Sequence, residues 1–250
     1  MPAVLEAGAP IIQFSWGMPD EQLVSAVRKS GARLGIQVTS AGSARDALDV
    51  GADYLVCQGT EAGGHVQAHR PLLEALAEVG AEAHQTPVVP ASGIGDGQGI
   101  RKGLLAGAAG AVLGTRFVAT QESSARADYK AALTQAKAAD TAFTVCFEGG
   151  WPNVRHRVLR NVAFEQWEAA GCLPVGKRPG EGEVVGARGA RKIMRYSMFP
   201  PIAEVTGALE DLCLYAGQSV ESIRDIPHRV SLSSACGPNA WLHSPVDCDG

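Results

Sequence analysis

The sequence predicts an α/β protein built as an incomplete (β/α)8 barrel, and three observations carry that prediction. Five times a helix-like segment runs into Gly-Ala and then into a β-rich stretch, at Gly8-Ala9, Gly31-Ala32, Gly51-Ala52, Gly80-Ala81 and Gly107-Ala108, spaced 20 to 29 residues apart. The stretches that follow are short and largely apolar, as parallel strands buried on both faces are. Beyond Ser123 the rhythm does not resume, whereas a complete eight-stranded barrel occupies about 250 residues.

Each repeat reads as helix, glycine, strand, because glycine accepts the left-handed conformation that closes a helix without a Cβ clash. The strands expected are Pro10 to Phe14, Leu34 to Thr39, Tyr54 to Gln58, Val88 to Ala91 and Ala111 to Phe117. Between them lie amphipathic helical patterns at Glu21 to Arg28, Ala44 to Val50, Pro71 to Val79 and Gly97 to Ala106. Alternation of this kind predicts a parallel sheet or barrel. From Ser123 onward come a helix-prone stretch (Ala125 to Ala139), a segment bearing Gly, Trp and Pro (Gly149 to Asn153), a Gly-rich charged run expected as an exposed loop (Gly176 to Gly189), and an expected amphipathic helix, Ile202 to Tyr215. The expected division is a partial barrel over 1–122, a helical and loop-rich region over 123–230, and a divergent, disordered tail over 231–250.

With 250 residues and 46% hydrophobic content, the chain can build one large core or a core with an appendage. A net charge of -4, a pI near 5.9 and no Lys/Arg cluster interleaved with aromatics argue against nucleic-acid binding. No run approaches the ~20 apolar residues that cross a bilayer, so no membrane association is expected. The start, Met1-Pro2-Ala3-Val4-Leu5-Glu6, lacks the features of a secretion signal, and a cytoplasmic protein is expected. The six cysteines form no C-x-x-C pair and no zinc spacing, so reduced structural thiols, and no metal, are expected.

The chemistry concentrates at Gln58-Gly59-Thr60-Glu61-Ala62-Gly63-Gly64-His65, directly after the apolar Tyr54-Leu55-Val56-Cys57. Paired glycines let a backbone approach a flat or anionic ligand closely, and an imidazole with an unperturbed pKa of about 6.5 suits proton transfer near neutrality. On its own the motif is equally a strand-closing turn with a histidine bonded to a carbonyl. Two further glycine-bearing strand ends shift that balance toward a nucleotide or flavin phosphate: Ser92-Gly93-Ile94-Gly95-Asp96-Gly97 and Gly114-Thr115-Arg116-Phe117. Thr115 could add a hydroxyl donor, and Asp96 is expected to cap the next helix rather than meet an anion. Arg116 is expected to pair structurally with a carboxylate. Glu61 could orient His65 or satisfy loop amides. His69 and His84 are expected to be solvated.

Together, Gln58 to His65, Pro87 to Gly97, Gly114 to Phe117 and Tyr215-Ala216-Gly217-Gln218 resemble the nitronate monooxygenase family, formerly called 2-nitropropane dioxygenases, from about Ala7 to about Val230. The Q-G-x-E-A-G-G-H string is the most specific part. The resemblance implies an FMN-dependent TIM barrel that oxidises alkyl nitronates with O2 to carbonyl compounds and nitrite. It implies His65 as catalytic base, Gln58 and Gly63 as flavin contacts, and Gly93 with Val112, Leu113, Gly114 and Thr115 at the phosphate end of the FMN site. Where Ser92 and Val112 stand, the family usually has glycine and glutamine; a backbone contact survives either change, and a side-chain contact at Val112 would be lost. The family's first three strands precede the part that resembles Pro10 to Gly17, which predicts a chain truncated at its front with an open barrel edge prone to self-association. The alternatives are an FMN-dependent enoyl-acyl carrier protein reductase, which shares the E-A-G-G-H string, and a non-catalytic truncated remnant.

Overall fold

The computed structural model describes residues 2–235. Cys236, Cys248 and the expected tail beyond Ala235 lie outside the described residues. The chain runs α1 (Pro2–Glu6), β1 (Ile11–Phe14), α2 (Glu21–Lys29), β2 (Arg33–Val38), α3 (Ala41–Asp49), β3 (Tyr54–Cys57), β4 (Gly64–His65), α4 (Leu72–Ala83), β5 (Val88–Pro90) and α5 (Gly97–Leu105). It continues through α6 (Thr115–Val118), α7 (Ala127–Gln135), β6 (Thr141–Thr144), β7 (His156–Leu159), α8 (Val162–Ala169), β8 (Val184–Arg188), β9 (Arg191–Met194), β10 (Val205–Gly207) and α9 (Arg229–Ala235). Among the described residues no helix is long and apolar enough to cross a membrane.

The α/β reading holds: β1, β2, β3 and β5 form a parallel sheet in that order. Local chemistry explains its helices. Asp20 caps α2 by accepting from Leu23 N–H at 2.8 Å, Ser40 and Ser43 form a reciprocal capping box on α3, and Asp96 caps α5 through Gly99 N–H at 2.8 Å, as expected. Gly8, Gly31, Gly51 and Gly107 take positive φ of 72°, 77°, 80° and 89°, the helix-closing conformation. Helices α2, α3 and α4 cover the sheet with Val27, Ala44, Ala47, Ala75, Leu76 and Val79 against Leu34, Ile36, Val38, Leu55 and Cys57. Each large aliphatic residue buried there contributes about 1.5–3 kcal/mol.

The fourth Gly-Ala marker fails: α4 continues through Gly80 to Ala83 and closes at His84, φ 51°. Ala75, Leu76, Val79 and Ala83 form one buried face that runs past the glycine, and packing along that face overrides the weak stop. The fifth expected strand, Ala111 to Phe117, is also corrected. The chain pairs with β5 through Ala109 N–H to Val88 O (2.9 Å) and Val112 N–H to Pro90 O (2.8 Å), then turns at Gly114 into α6. With no described strand on the outer side of this segment, a ladder does not develop.

The later residues pair antiparallel, in the sheets β4-β7-β6 and β10-β8-β9. The run Gly176 to Gly189 is not simply an exposed loop, since Val184 to Arg188 form β8 and Arg178 is buried. The expected helix Ile202 to Tyr215 is absent. Instead β10 leads through one 3-10 turn, Leu209–Asp211, into an extended segment in which Leu214 O accepts from Leu159 N–H at 2.8 Å. Leu212, Cys213 and Leu214 are buried in succession, which suits an extended chain enclosed on both sides better than a helix with one wet face. Gly207 at φ 118° brings the backbones so close that a Cβ there would lie 2.1 Å from Val185 O.

Candidate functional site

Because β1, β2, β3 and β5 are parallel, their C-terminal ends share one edge of the sheet, and the loops beyond them meet there. Beyond β3, Gly64 at φ 74° turns the chain so that His65 enters β4, opposite His156 of β7. Gln58, buried at the end of β3, braces this turn: its Nε2 donates to His65 O at 3.2 Å and its Oε1 accepts from Gln67 N–H at 2.7 Å. Gln67 Oε1 in turn accepts from Gln37 Nε2 at 2.9 Å and from Trp16 N–H at 3.3 Å. The Gln58 amide is thus spent on placing His65.

Aromatic rings surround the His65 imidazole, with centroids of Trp151, Tyr215 and His156 at 5.0, 5.4 and 5.9 Å. Trp16 packs on Trp151 at 4.7 Å. Burial holds the His65 pKa below its ordinary value, which favours the neutral, proton-accepting form. Among the described residues no hydrogen bond engages either of its ring nitrogens, so both stay available to a ligand.

His156 is different in kind. It is fully buried, its Nε2 accepts from Phe147 N–H at 3.1 Å, and its Nδ1 lies 3.1 Å from Val154 O. These partners require a proton on Nδ1 and none on Nε2, a neutral imidazole. Burial pushes its pKa down to about 4 against the opposing pull of Val154 O, and the neighbouring His65 lowers it further. Its ring ties together the two ends of the loop between β6 and β7, which carries Trp151.

Glu61 does not touch His65. Its carboxylate accepts from Leu72 N–H at the start of α4 (3.1 and 3.0 Å) and from Ser92 Oγ (3.1 Å), the loop-satisfying alternative. Gly63 is required by close packing: a Cβ there would lie 2.3 Å from Gly217 N, whose N–H donates to Thr115 Oγ1 at 2.9 Å. Gln218 N–H donates to Glu61 O at 3.0 Å. The Tyr215 to Gln218 segment is therefore pinned onto the His65 loop. Arg116 is structural as expected, bonding Asp225 Oδ1 at 2.8 Å and the carbonyls of Ala119 and Asp225. His69 and His84 are exposed.

The two glycine loops lie side by side, because β5 and Ala109–Val112 are hydrogen-bonded neighbours. Gly93 takes φ 61°, and a Cβ on Gly114 would meet nothing within 4 Å. Among the described residues the amides of Gly93, Ile94, Leu113 and Gly114 donate to no protein acceptor. The carboxylates that line the adjoining cleft are each hydrogen-bonded, Glu61 to Leu72 N–H and Ser92 Oγ, Asp96 to Gly99 N–H and Glu221 to Ala138 N–H. Gly93 lies close to Glu61, where a Cβ would be 2.9 Å from the Glu61 Cβ, and the space is open at Gly114; unpaired amides beside such an opening fit a phosphate dianion. Val112 spends its N–H on Pro90 O and is 42% exposed, so its own amide is not free to meet an anion and it serves to anchor the loop. A cleft of about 420 Å³ between α4, α5 and residues 218–222 adjoins Gly93 and Gly95 but reaches neither His65 nor Leu113 to Thr115. The ring cluster and unpaired amides, rather than this cleft, define the candidate site.

Sequence reasoning missed Trp16, Trp151 and His156. Trp151 stood within a noted Gly-Trp-Pro segment, while His156, set between Arg155 and Arg157, carries no local signal of its burial. Their assembly depends on pairings across 91 residues, such as His65 with His156.

A family-level comparison matches residues 1–232 to Nitronate monooxygenase. The chain is 38% identical over 186 residues to a nitronate monooxygenase of Pseudomonas aeruginosa, covering 72% of this chain and 52% of that protein. It is 34% identical over 182 residues to one of Paraburkholderia phytofirmans, covering 70% and 48%. The chain thus spans about half the length of these relatives. Among solved structures, a nitroalkane oxidase from Streptomyces ansochromogenes aligns with a TM-score of 0.71 at 30% identity, over 94% of this chain and 65% of that one. FabK from Thermotoga maritima aligns with a TM-score of 0.73 at 25% identity, over 96% and 70%. The match over nearly all described residues, with the His65 string and both glycine loops inside it, establishes that the chain belongs to the nitronate monooxygenase family.

Proposed function

We propose that the chain carries the flavin-phosphate and proton-accepting parts of an FMN-dependent nitronate monooxygenase, which oxidises alkyl nitronates with O2 to carbonyl compounds and nitrite. The observation that carries this reading is a half-buried His65 with unengaged ring nitrogens, on the same sheet edge as two loops of unpaired amides. Gly93, Leu113, Gly114 and Thr115 hold the phosphate through backbone N–H groups, with Val112 anchoring the segment before them to Pro90. Gln58 and Gly63 face the flavin through the turn they shape, rather than through side-chain bonds. Bound FMN supplies the electron acceptor that O2 reoxidises. Neutral His65 accepts the α-proton of a nitroalkane or orients the nitronate, while Trp151 and Tyr215 limit water around it.

In this reading residues 1–122 are the FMN-binding part of an incomplete barrel and 123–230 a cap that places Trp151 and Tyr215 over His65. The outer edge of β1, which pairs only with β2 among the described residues, is where the chain self-associates. The expected outcome is retention of yellow FMN after desalting, and loss of about 100-fold or more in kcat/KM toward ethyl nitronate in His65→Ala. Undiminished turnover in that variant would remove His65 from the chemistry. The TM-score of 0.73 to FabK supports the enoyl reductase as a second reading. NADH-driven reduction of a crotonyl thioester, with no nitronate oxidation, would install it in place of the first.

A further inference from the structure

We propose that Trp16 and Trp151 form an aryl-binding wall beside His65, so that the substrate is a nitronate bearing a flat aryl or arylalkyl group near its reacting carbon. This rests on the nitronate-oxidising reading and narrows its substrate class. The two indoles come from distant parts of the chain, and each is held by its backbone. Trp16 takes φ 64° and its N–H bonds Gln67 Oε1, the side chain that also receives Gln37 Nε2. Trp151 N–H bonds Glu148 O at 2.9 Å, and Asn153 N–H bonds Glu148 Oε2 at 2.7 Å, inside the loop whose ends His156 ties together.

Despite packing on each other at 4.7 Å, the indoles remain 36% and 37% exposed. Large aromatic faces held in place yet left open are the usual lining of a small-molecule site. The Trp151 ring lies 33° from the His65 plane, so a flat substituent on a carbon held at the imidazole edge runs onto the indole. Charge decides against a carboxylate-bearing substituent. Among the described residues no cation stacks on Trp16, Trp151 or Tyr215, and Arg155, just before β7, and Arg157, within it, sit 5.4 Å over Phe143 instead. A carboxylate at the wall would lose water without gaining a counter-charge.

The test compares kcat/KM for phenylmethyl nitronate and ethyl nitronate in the FMN-loaded full chain by oxygen consumption. The expected ratio favours the phenyl compound by about three- to tenfold, the scale of one good aromatic contact. In Trp151→Ala and Trp16→Ala the ratio falls toward one, and Trp151→Phe restores part of it. Equal kcat/KM in the unsubstituted protein, or a preference that both alanine variants keep, overturns the wall. If neither nitronate is oxidised, the function reading fails, and calorimetric titration with the same two compounds judges the wall separately. Saturable binding of the phenyl compound that Trp151→Ala abolishes supports it, and indistinguishable heats for the two compounds overturn it.

Discussion

Between Ile11 and Pro90 the molecule buries hydrocarbon and no charged side chain, whereas from Arg116 onward four cations are buried among the described residues, Arg116, Lys130, Arg157 and Arg178. The difference follows from backbone regularity. In the parallel sheet the ladder pairs the carbonyls, so side chains need only fill space. In the irregular later region, carbonyls turn inward without strand partners, and long cationic side chains reach them. Arg157 donates twice to Thr60 O and once to Thr141 Oγ1, Arg178 reaches Cys146 O, and Lys130 bonds the carbonyls of Gln121 and Ser123. The site lies where the two regimes join, and Arg157 is the join, since Thr60 begins the loop that carries His65.

Breaking that join is expected to have the largest effect. Arg157→Met leaves Thr60 O and Thr141 Oγ1 without their donor, and a loss of about 3–5 kcal/mol is expected in urea unfolding. Nitronate turnover should fall with it, because His65 loses its support. A shift below about 1 kcal/mol would show that the later region is held by packing alone.

The next effect is a pH dependence specific to the later region. His156 titrates at about 4 when folded and near 6.5 when unfolded, so between those values the unfolded chain binds more protons. Stability from this group is complete above about pH 6.5 and is lost as pH falls toward 4, by about 3 kcal/mol in all. Parent and His156→Gln proteins, compared by denaturation at several pH values, should differ in slope across that window and run parallel above it. Equal slopes would mean that His156 is not buried neutral.

The smallest effect tests the regular half. Asp20→Ala removes one cap from α2 and should cost about 1 kcal/mol in melting experiments, with FMN retention unchanged. A larger loss would show that the parallel half also depends on single polar contacts.

Much of the parallel half was legible because its signals are local. Asp96 as a cap, the closing glycines and the buried strands each declare themselves within a few residues. The exceptions are informative. Gly80 did not end α4 because a continuous apolar face outweighed it, and Ala111 to Phe117 did not become a strand because pairing on its outer side is missing among the described residues. For the site, His65 and its glycine turn were readable from spacing, and the structural pairing of Arg116 was expected from chemistry. The role of Gln58 as a brace was not, since it depends on where Gln67 returns. Val184 to Arg188 and Leu212 to Tyr215 were misread for the same reason: their conformation is set by distant partners rather than by periodicity.

The sequence alone determined the α/β class, the order of the repeats, the family and the position of the one histidine at a glycine-rich strand end. The class and the repeat order follow from backbone preference and apolar periodicity, which act over a few residues, and the family follows from the resemblance of the Gln58 to His65 string and the glycine loops. Only the tertiary structure decided what surrounds that histidine. Trp151, His156 and Tyr215 converge on it through antiparallel pairing and carbonyl-seeking arginines, with Trp16 packed on Trp151, and such contacts depend on closing long loops whose partners no local pattern specifies.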